Sequence, residues 1–133
     1  MLVSPEKSGV RPTTDRVRSA IFSILSESIT DSYVLDIFAG TGSFGIESLS
    51  RGAKYAVFVD RDTSLVKENI KKLLLQDVKV LTGDVFSVLK RISVKFDIIF
   101  VDPPYSKYSP SVLLGSLTHL CDKSTKIIYE ERK

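Results

Sequence analysis

Val34-Leu35-Asp36-Ile37-Phe38-Ala39-Gly40-Thr41-Gly42-Ser43-Phe44-Gly45 is the stretch on which the reading of this chain turns. Its first half is short, apolar and partly β-branched, as in a buried strand. Its second half is a literal Gly-x-Gly-x-x-Gly that opens a helix. Gly40 and Gly42 let the backbone turn tightly and approach a ligand with no Cβ in the way, and Gly45 allows a helix to pack closely on the strand. Asp60 stands twenty positions after Gly40, closing the next apolar run. A carboxylate there can accept hydrogen bonds from two ribose hydroxyls. Strand, glycine turn, helix, strand and acid together predict a nucleotide-bearing cofactor at the end of a parallel sheet.

Outward from this stretch, short apolar runs alternate with amphipathic segments. Thr13 or Thr14 can cap a helix reaching about Glu27, with Val17, Ala20, Ile21, Ile24 and Leu25 as its apolar stripe. Strands are predicted at 33–37, 55–59, 78–81 and 96–101, and a fifth starts over 126–129. A helix follows the glycine turn over 43–51. Asp62 can cap the next, whose Leu65, Val66, Ile70, Leu73 and Leu74 face inward. Asp84 can open a short helix ending near Ile92. Ser109-Pro110 is a helix start that turns Val112, Leu113, Leu117 and Leu120 inward. Five strands with intervening helices predict a doubly wound, mainly parallel α/β sheet.

The chain has 133 residues, enough for one domain with a core of its own. Its 43% hydrophobic and 26% charged residues argue against disorder. A net charge of +3 permits an anionic partner without requiring one. A single cysteine, Cys121, cannot form an internal disulfide, which fits a reducing compartment. The opening residues lack the apolar core of a signal peptide, and no apolar run is long enough to span a bilayer. A cytoplasmic protein with no membrane partner is expected.

The glycine pattern by itself fits a dinucleotide site equally well. However, Asp36 precedes the turn, and Phe38 and Ala39 lengthen the loop before the first glycine. That spacing resembles the D-x-F-x-G-x-G loop of class I methyltransferases, which wraps the methionine end of S-adenosylmethionine. The same likeness implies that Asp84, after the third strand, holds the adenine amino group. A plain helix cap is the competing role for Asp84. The expected cofactor set is Asp36, Phe38, Ala39, Gly40, Gly42, Asp60, Arg61, Asp84, Val85 and Asp102.

Asp102-Pro103-Pro104-Tyr105 follows the fourth strand directly, at the carboxyl end of the sheet where ligands of such folds bind. It resembles the (D/N)-P-P-(Y/F) motif of amino-group methyltransferases. An aromatic amine is a poor nucleophile because its lone pair is delocalised. The Asp102 carboxylate and the Pro103 carbonyl can accept its two N–H bonds and draw the nitrogen toward a tetrahedral shape. The prolines fix φ, and Tyr105 offers a ring on which a splayed-out base can stack. Asp102, Pro103, Pro104 and Tyr105 are therefore the expected catalytic residues. In-line methyl transfer needs no metal, only positioning and electrostatics.

With these residues in place, the chain resembles the RsmD-type family of bacterial 16S rRNA guanine-N2 methyltransferases. The most specific stretch is Arg11-Pro12-Thr13-Thr14-Asp15-Arg16-Val17-Arg18, before a helix carrying Ile24-Leu25. The loop at 36–45 running into Leu49-Ser50-Arg51-Gly52-Ala53, and the tetrapeptide at 102–105, follow in the family's order. The resemblance implies transfer of a methyl group from S-adenosylmethionine to a guanine N2 in 16S ribosomal RNA or the small subunit. Arg11, Thr13, Thr14, Arg16, Arg18 and Tyr105 would meet the RNA. The competing role for the arginines is pairing with nearby acids at a solvated helix start. Family members open with a basic hairpin and continue through two more strands. The resemblance therefore implies a single domain (1–133, with 1–12 as leader) lacking the last strands of the fold. A monomer is expected, although an exposed fifth strand could pair with a second copy.

The tetrapeptide leaves adenine N6 and protein glutamine open as acceptors. An NAD-dependent oxidoreductase remains a second reading of the glycine turn, although the lone His119, among apolar residues, looks like a packing or surface group. A third is an inactive module that binds RNA or cofactor.

Overall fold

The computed structural model describes residues 15–104 and 108–130. It contains α1 (Asp15–Leu25), β1 (Tyr33–Ile37), α2 (Ser43–Ser50), β2 (Tyr55–Asp60), α3 (Ser64–Lys72), β3 (Val78–Thr82), α4 (Val85–Lys90), β4 (Ile98–Val101), α5 (Pro110–Gly115) and β5 (Lys126–Tyr129). Short 3-10 turns follow α1 and α5. All five strands are parallel, in the order β3-β2-β1-β4-β5. This is the doubly wound sheet expected, and β1 and β4 lie side by side where the winding reverses.

The period of two along each strand divides the core into two layers. Val34, Ala56, Phe58, Ile98 and Phe100 pack under α1, α2 and α3 with Phe22, Phe44, Ile46 and Val66. Leu35, Ile37, Val57, Val59, Ile99 and Val101 pack under α4 and α5 with Val88, Leu89 and Leu113. β1 and β4 are buried on both faces, which explains their nearly unbroken apolar runs.

Several helix faces differ from the expected ones. On α1, Val17 and Ile24 are exposed, Ala20 is exposed too, and Phe22 and Leu25 are buried. The Phe22 ring lies 5.7 Å from that of Phe100 and 6.2 Å from that of Phe44. An aromatic buries more area than Val or Ala, so it takes the inward position and turns the stripe around the helix. Leu73 and Leu74 are exposed because α3 stops at Lys72 and Leu74 adopts φ +56, which swings it outward; half-buried Leu75 packs instead. Thr63 occupies the N-cap position of α3 without a side-chain cap bond, and Asp62, one residue earlier, folds an Asx turn whose Oδ1 accepts from Ser64 N–H, the first N–H of the helix. Val112 is exposed on a helix shorter than expected, whereas Leu113, Leu117 and Leu120 are buried. Ser109 and Pro110 start α5 as expected, although the Ser109 hydroxyl makes no cap bond to the helix and lies 3.0 Å from Ser111 Oγ instead.

His119 Nε2 lies 2.9 Å from Leu89 O and the Cys121 thiol donates to Leu117 O, so both serve local packing. No described helix is long and apolar enough to cross a membrane.

Candidate active site

The register of β1 and β4 assembles the site. Ile37 and Val101 are partners across the two strands, so the next residues, Phe38 and Asp102, start the glycine loop and the Asp-Pro-Pro segment side by side. Asp102 is half-buried, Pro103 buried and Pro104 exposed. Tyr105 lies outside the described residues, as do Arg11, Thr13 and Thr14.

The loop is shaped by sterics and by acids. Phe38 has φ +60, a strained conformation for a bulky residue, and tertiary contacts hold it there. Its ring packs 5.1 Å from Tyr108, which also lies 6.2 Å from Phe86. Gly42, at φ +81, ends the loop and precedes α2. A Cβ on Gly45 would come within 2.4 Å of the Phe58 ring, so this glycine permits the close helix–strand packing read from the sequence.

Asp60 ties the loop to β2. Its Oδ2 accepts from Gly40 N–H at 2.8 Å and its Oδ1 from Arg61 N–H at 2.7 Å. Asn69, fully buried on α3, donates to Thr41 O at 2.9 Å and holds the far side of the loop. Leaving that carbonyl and amide unpaired in the core would cost about 1–3 kcal/mol. The sequence reading passed over Asn69, Phe86 and Tyr108. The signal for Asn69 was a polar residue three positions after Val66, on the same inward face, where only a buried partner justifies it.

Asp36, one of the expected cofactor residues, is buried and engaged by the backbone of α2. Its side chain is only 2% exposed and shares the sheet face of Val34, beneath α2. There Oδ2 accepts from Gly45 N–H at 3.0 Å, in the first turn of α2. Gly42 has no side chain with which to cap that helix, and Asp36 supplies the missing acceptor from a neighbouring strand. Burial raises its carboxyl pKa from 3.8 to about 8. The Gly45 bond opposes that shift, and the nearby Asp102 and Asp60 carboxylates add to it.

A folded-state pKa above the unfolded value makes the folded state the better proton binder between the two. The stability owed to this proton is complete below pH 3.8 and is lost as pH rises toward 8. Asp36→Asn keeps an acceptor for Gly45 and removes the titration. Unfolding free energy of the parent chain should fall with pH between 5 and 7 by up to about 1.4 kcal/mol per unit more steeply than that of the variant. Urea titrations at several pH values test this, and parallel slopes would refute it.

At the end of β3, Asp84 caps α4, its Oδ2 accepting from Ser87 N–H at 3.1 Å. Its Oδ1 lies 3.8 Å from Arg61 Nη2, an exposed pair contributing little. The Val85 side chain is buried in the core. The structure thus brings together the loop at 38–42, Asp60, Arg61, Asp84 and Asp102 along the carboxyl ends of four adjacent strands. Arg16 and Arg18 lie in the first turn of α1, and Arg18 pairs with Asp15 at 2.7 Å.

The residues fit S-adenosylmethionine on two counts. A Cβ on Gly40 would meet nothing within 4 Å, so the loop offers open space where a ligand's backbone-close approach is needed. The acids Asp60 and Asp102 suit a ligand carrying ammonium and sulfonium charges.

A doubly wound parallel sheet with this loop and an Asp-Pro-Pro segment at its reversal point defines a Rossmann-like class I methyltransferase domain. The family model described as "Conserved hypothetical protein 95" matches residues 1–133. The chain is 38% identical over 106 residues to ribosomal RNA small subunit methyltransferase D of Escherichia coli (strain K12), covering 77% of this chain and 54% of that one. It is 41% identical over 100 residues to the protein of the same name from Buchnera aphidicola subsp. Acyrthosiphon pisum, covering 72% and 52%. Among solved structures, a hypothetical protein of Thermus thermophilus superposes with a TM-score of 0.78 at 30% identity, over 92% of this chain and 74% of that one. The chain belongs to this RsmD-type methyltransferase family. It spans about half the length of the curated relatives it matches.

Proposed function

We propose that the protein transfers a methyl group from S-adenosylmethionine to the exocyclic N2 of a guanine in 16S ribosomal RNA. The observation that carries this reading is the β1–β4 register, which sets Asp102-Pro103 beside the glycine loop. The names of the relatives support ribosomal RNA as the substrate.

In this reading, Gly40 and Asp60 hold the cofactor's methionine and ribose portions, and the end of β3 at Asp84 and Val85 receives its adenine. The cofactor supplies an electrophilic methyl group on a cationic sulfur. Asp102 and the Pro103 carbonyl accept the two N–H bonds of the substrate amine and orient its lone pair. Asp102 also carries a negative charge that suits the positive charge developing on the nitrogen. Tyr105 keeps the stacking role read from the sequence, and Arg11, Arg16 and Arg18 the role of meeting RNA phosphates. The protein acts as a cytoplasmic monomer on rRNA or the small subunit.

The test is incubation with 16S rRNA and methyl-labelled S-adenosylmethionine, then digestion to nucleosides. Label in N2-methylguanosine is the expected result. Label in N6-methyladenosine would move the acceptor to adenine, and unlabelled RNA would overturn the substrate.

A further inference from the structure

On the α4 side of the sheet, α4 is only six residues long, and beside it the edge strand β3 leaves Lys79 exposed while Leu81 packs against the core. No residue of β3 is fully buried. The result is a groove of about 600 Å³, within the size range of ligand sites. Its floor is the sheet face bearing Tyr33, Tyr55, Val57 and Lys79, and its far wall is the end of α4 at Arg91.

Two features of this groove point to one kind of occupant. Tyr33 and Tyr55 are register partners on β1 and β2, with ring centroids 5.9 Å apart, and Tyr33 is 37% exposed. They form an aromatic platform at the amino end of the sheet, with Tyr33 exposed and Tyr55 half-buried against the core, its hydroxyl donating to Val78 O at 3.4 Å. Lys79 stands on the same face, partnered with Val57, and Arg91 faces it from α4. Both cations are exposed, and neither forms an ion pair among the described residues. Asp97, the acid next in sequence to Phe96 of the groove lining, is engaged by Tyr33 N–H at 2.8 Å. Aromatic rings flanked by unpaired cations match a nucleotide strand, whose bases stack and whose phosphates seek positive charge. The groove also reaches Thr82, at the carboxyl end of β3 beside the candidate active site.

We propose that this groove is a second RNA-binding subsite, which holds a single-stranded stretch of the substrate away from the nucleotide being methylated. The inference rests on the reading of the protein as an RNA methyltransferase. Tyr33 and Tyr55 stack bases, and Lys79 and Arg91 neutralise about two phosphates.

The test uses the whole chain and a labelled oligouridylate, with binding followed by fluorescence anisotropy over a range of salt. Affinity for S-adenosylmethionine is measured alongside as a check on folding. Lys79→Glu with Arg91→Glu should weaken RNA binding at least tenfold and reduce the salt slope by about 1.4, the single-strand value for two phosphate contacts. Tyr33→Ala should weaken it about tenfold with little change in slope. Lys71→Glu with Lys123→Glu makes the same change in net charge elsewhere and should cost less than threefold. Equal losses from the two charge pairs, with Tyr33→Ala unchanged, would overturn the subsite and leave the RNA reading standing. Failure of the parent chain to bind RNA while it binds S-adenosylmethionine would overturn both.

Discussion

Asp102→Ala is expected to lower the single-turnover rate of methyl transfer by about 100- to 1,000-fold, the usual consequence of deleting one group that stabilises developing charge. The side chain is half-buried at the end of β4, next to the first residue of the glycine loop, and its removal opens no hole in the core. Stability should therefore change little. The Pro103 carbonyl remains to accept one N–H bond, so some rate should survive. Asp102→Asn retains an oxygen acceptor but loses the charge, and its rate should fall between the two. Affinity for S-adenosylmethionine should weaken less than the rate, because Gly40 and Asp60 contribute their contacts independently. A variant that kept more than a tenth of the parent rate would remove Asp102 from the chemistry.

The largest effect on stability is expected at Gly42. An alanine there would carry a side chain at φ +81, a left-handed conformation costing about 1–2 kcal/mol. Its Cβ would also sit 2.4 Å from Val66 Cγ2 and 3.2 Å from the Phe58 ring, both in the core. Overpacking of this kind adds about 1–3 kcal/mol. Gly42→Ala should then destabilise the fold by about 2–5 kcal/mol, a large share of the ~5–15 kcal/mol typical of a domain. Gly40→Ala is the internal control. It is left-handed too, at φ +57, but its Cβ would meet nothing within 4 Å, so only the backbone cost applies. Urea unfolding of the two variants tests the difference. Equal losses would mean that Val66 and Phe58 yield without strain. Gly40→Ala should instead declare itself in weaker binding of S-adenosylmethionine, because its methyl group would intrude into the open space beside the loop.

The residues that could be read one at a time were read well. Apolar runs bounded by polar residues placed all five strands, and in β1, β2 and β4 burial on both faces of a parallel sheet leaves no room for alternation. Gly45 was recognisable as a close-packing residue from the glycine pattern, and the cap among Asp84's two readings was recognisable because its partner, Ser87 N–H, is three residues away. What failed was helix orientation. On α1 a stripe of small aliphatics and one containing Phe22 were both consistent with a period of 3.6, and only the rings of Phe44 and Phe100 choose between them. At the end of α3 the apolar pattern ran on through Leu73 and Leu74, past the point where the backbone turns left-handed.

The sequence by itself determined the order of elements, the loop at 36–45 and the Asp-Pro-Pro segment at 102–104, because periodicity, turn chemistry and motif spacing are properties of neighbours in the chain. Only the tertiary structure decided that β1 lies beside β4, with Phe38 next to Asp102 across 64 positions of sequence. It also decided that Asp36, read as a cofactor contact, lies buried as a cap for α2, that Asn69 pins Thr41, and that a six-residue α4 leaves Tyr33, Tyr55, Lys79 and Arg91 around an open groove. The physical reason is the same in each case. A side chain's hydrogen-bond partner and its share of solvent depend on what other strands and helices bring against it, and that is settled by packing rather than by position in the chain.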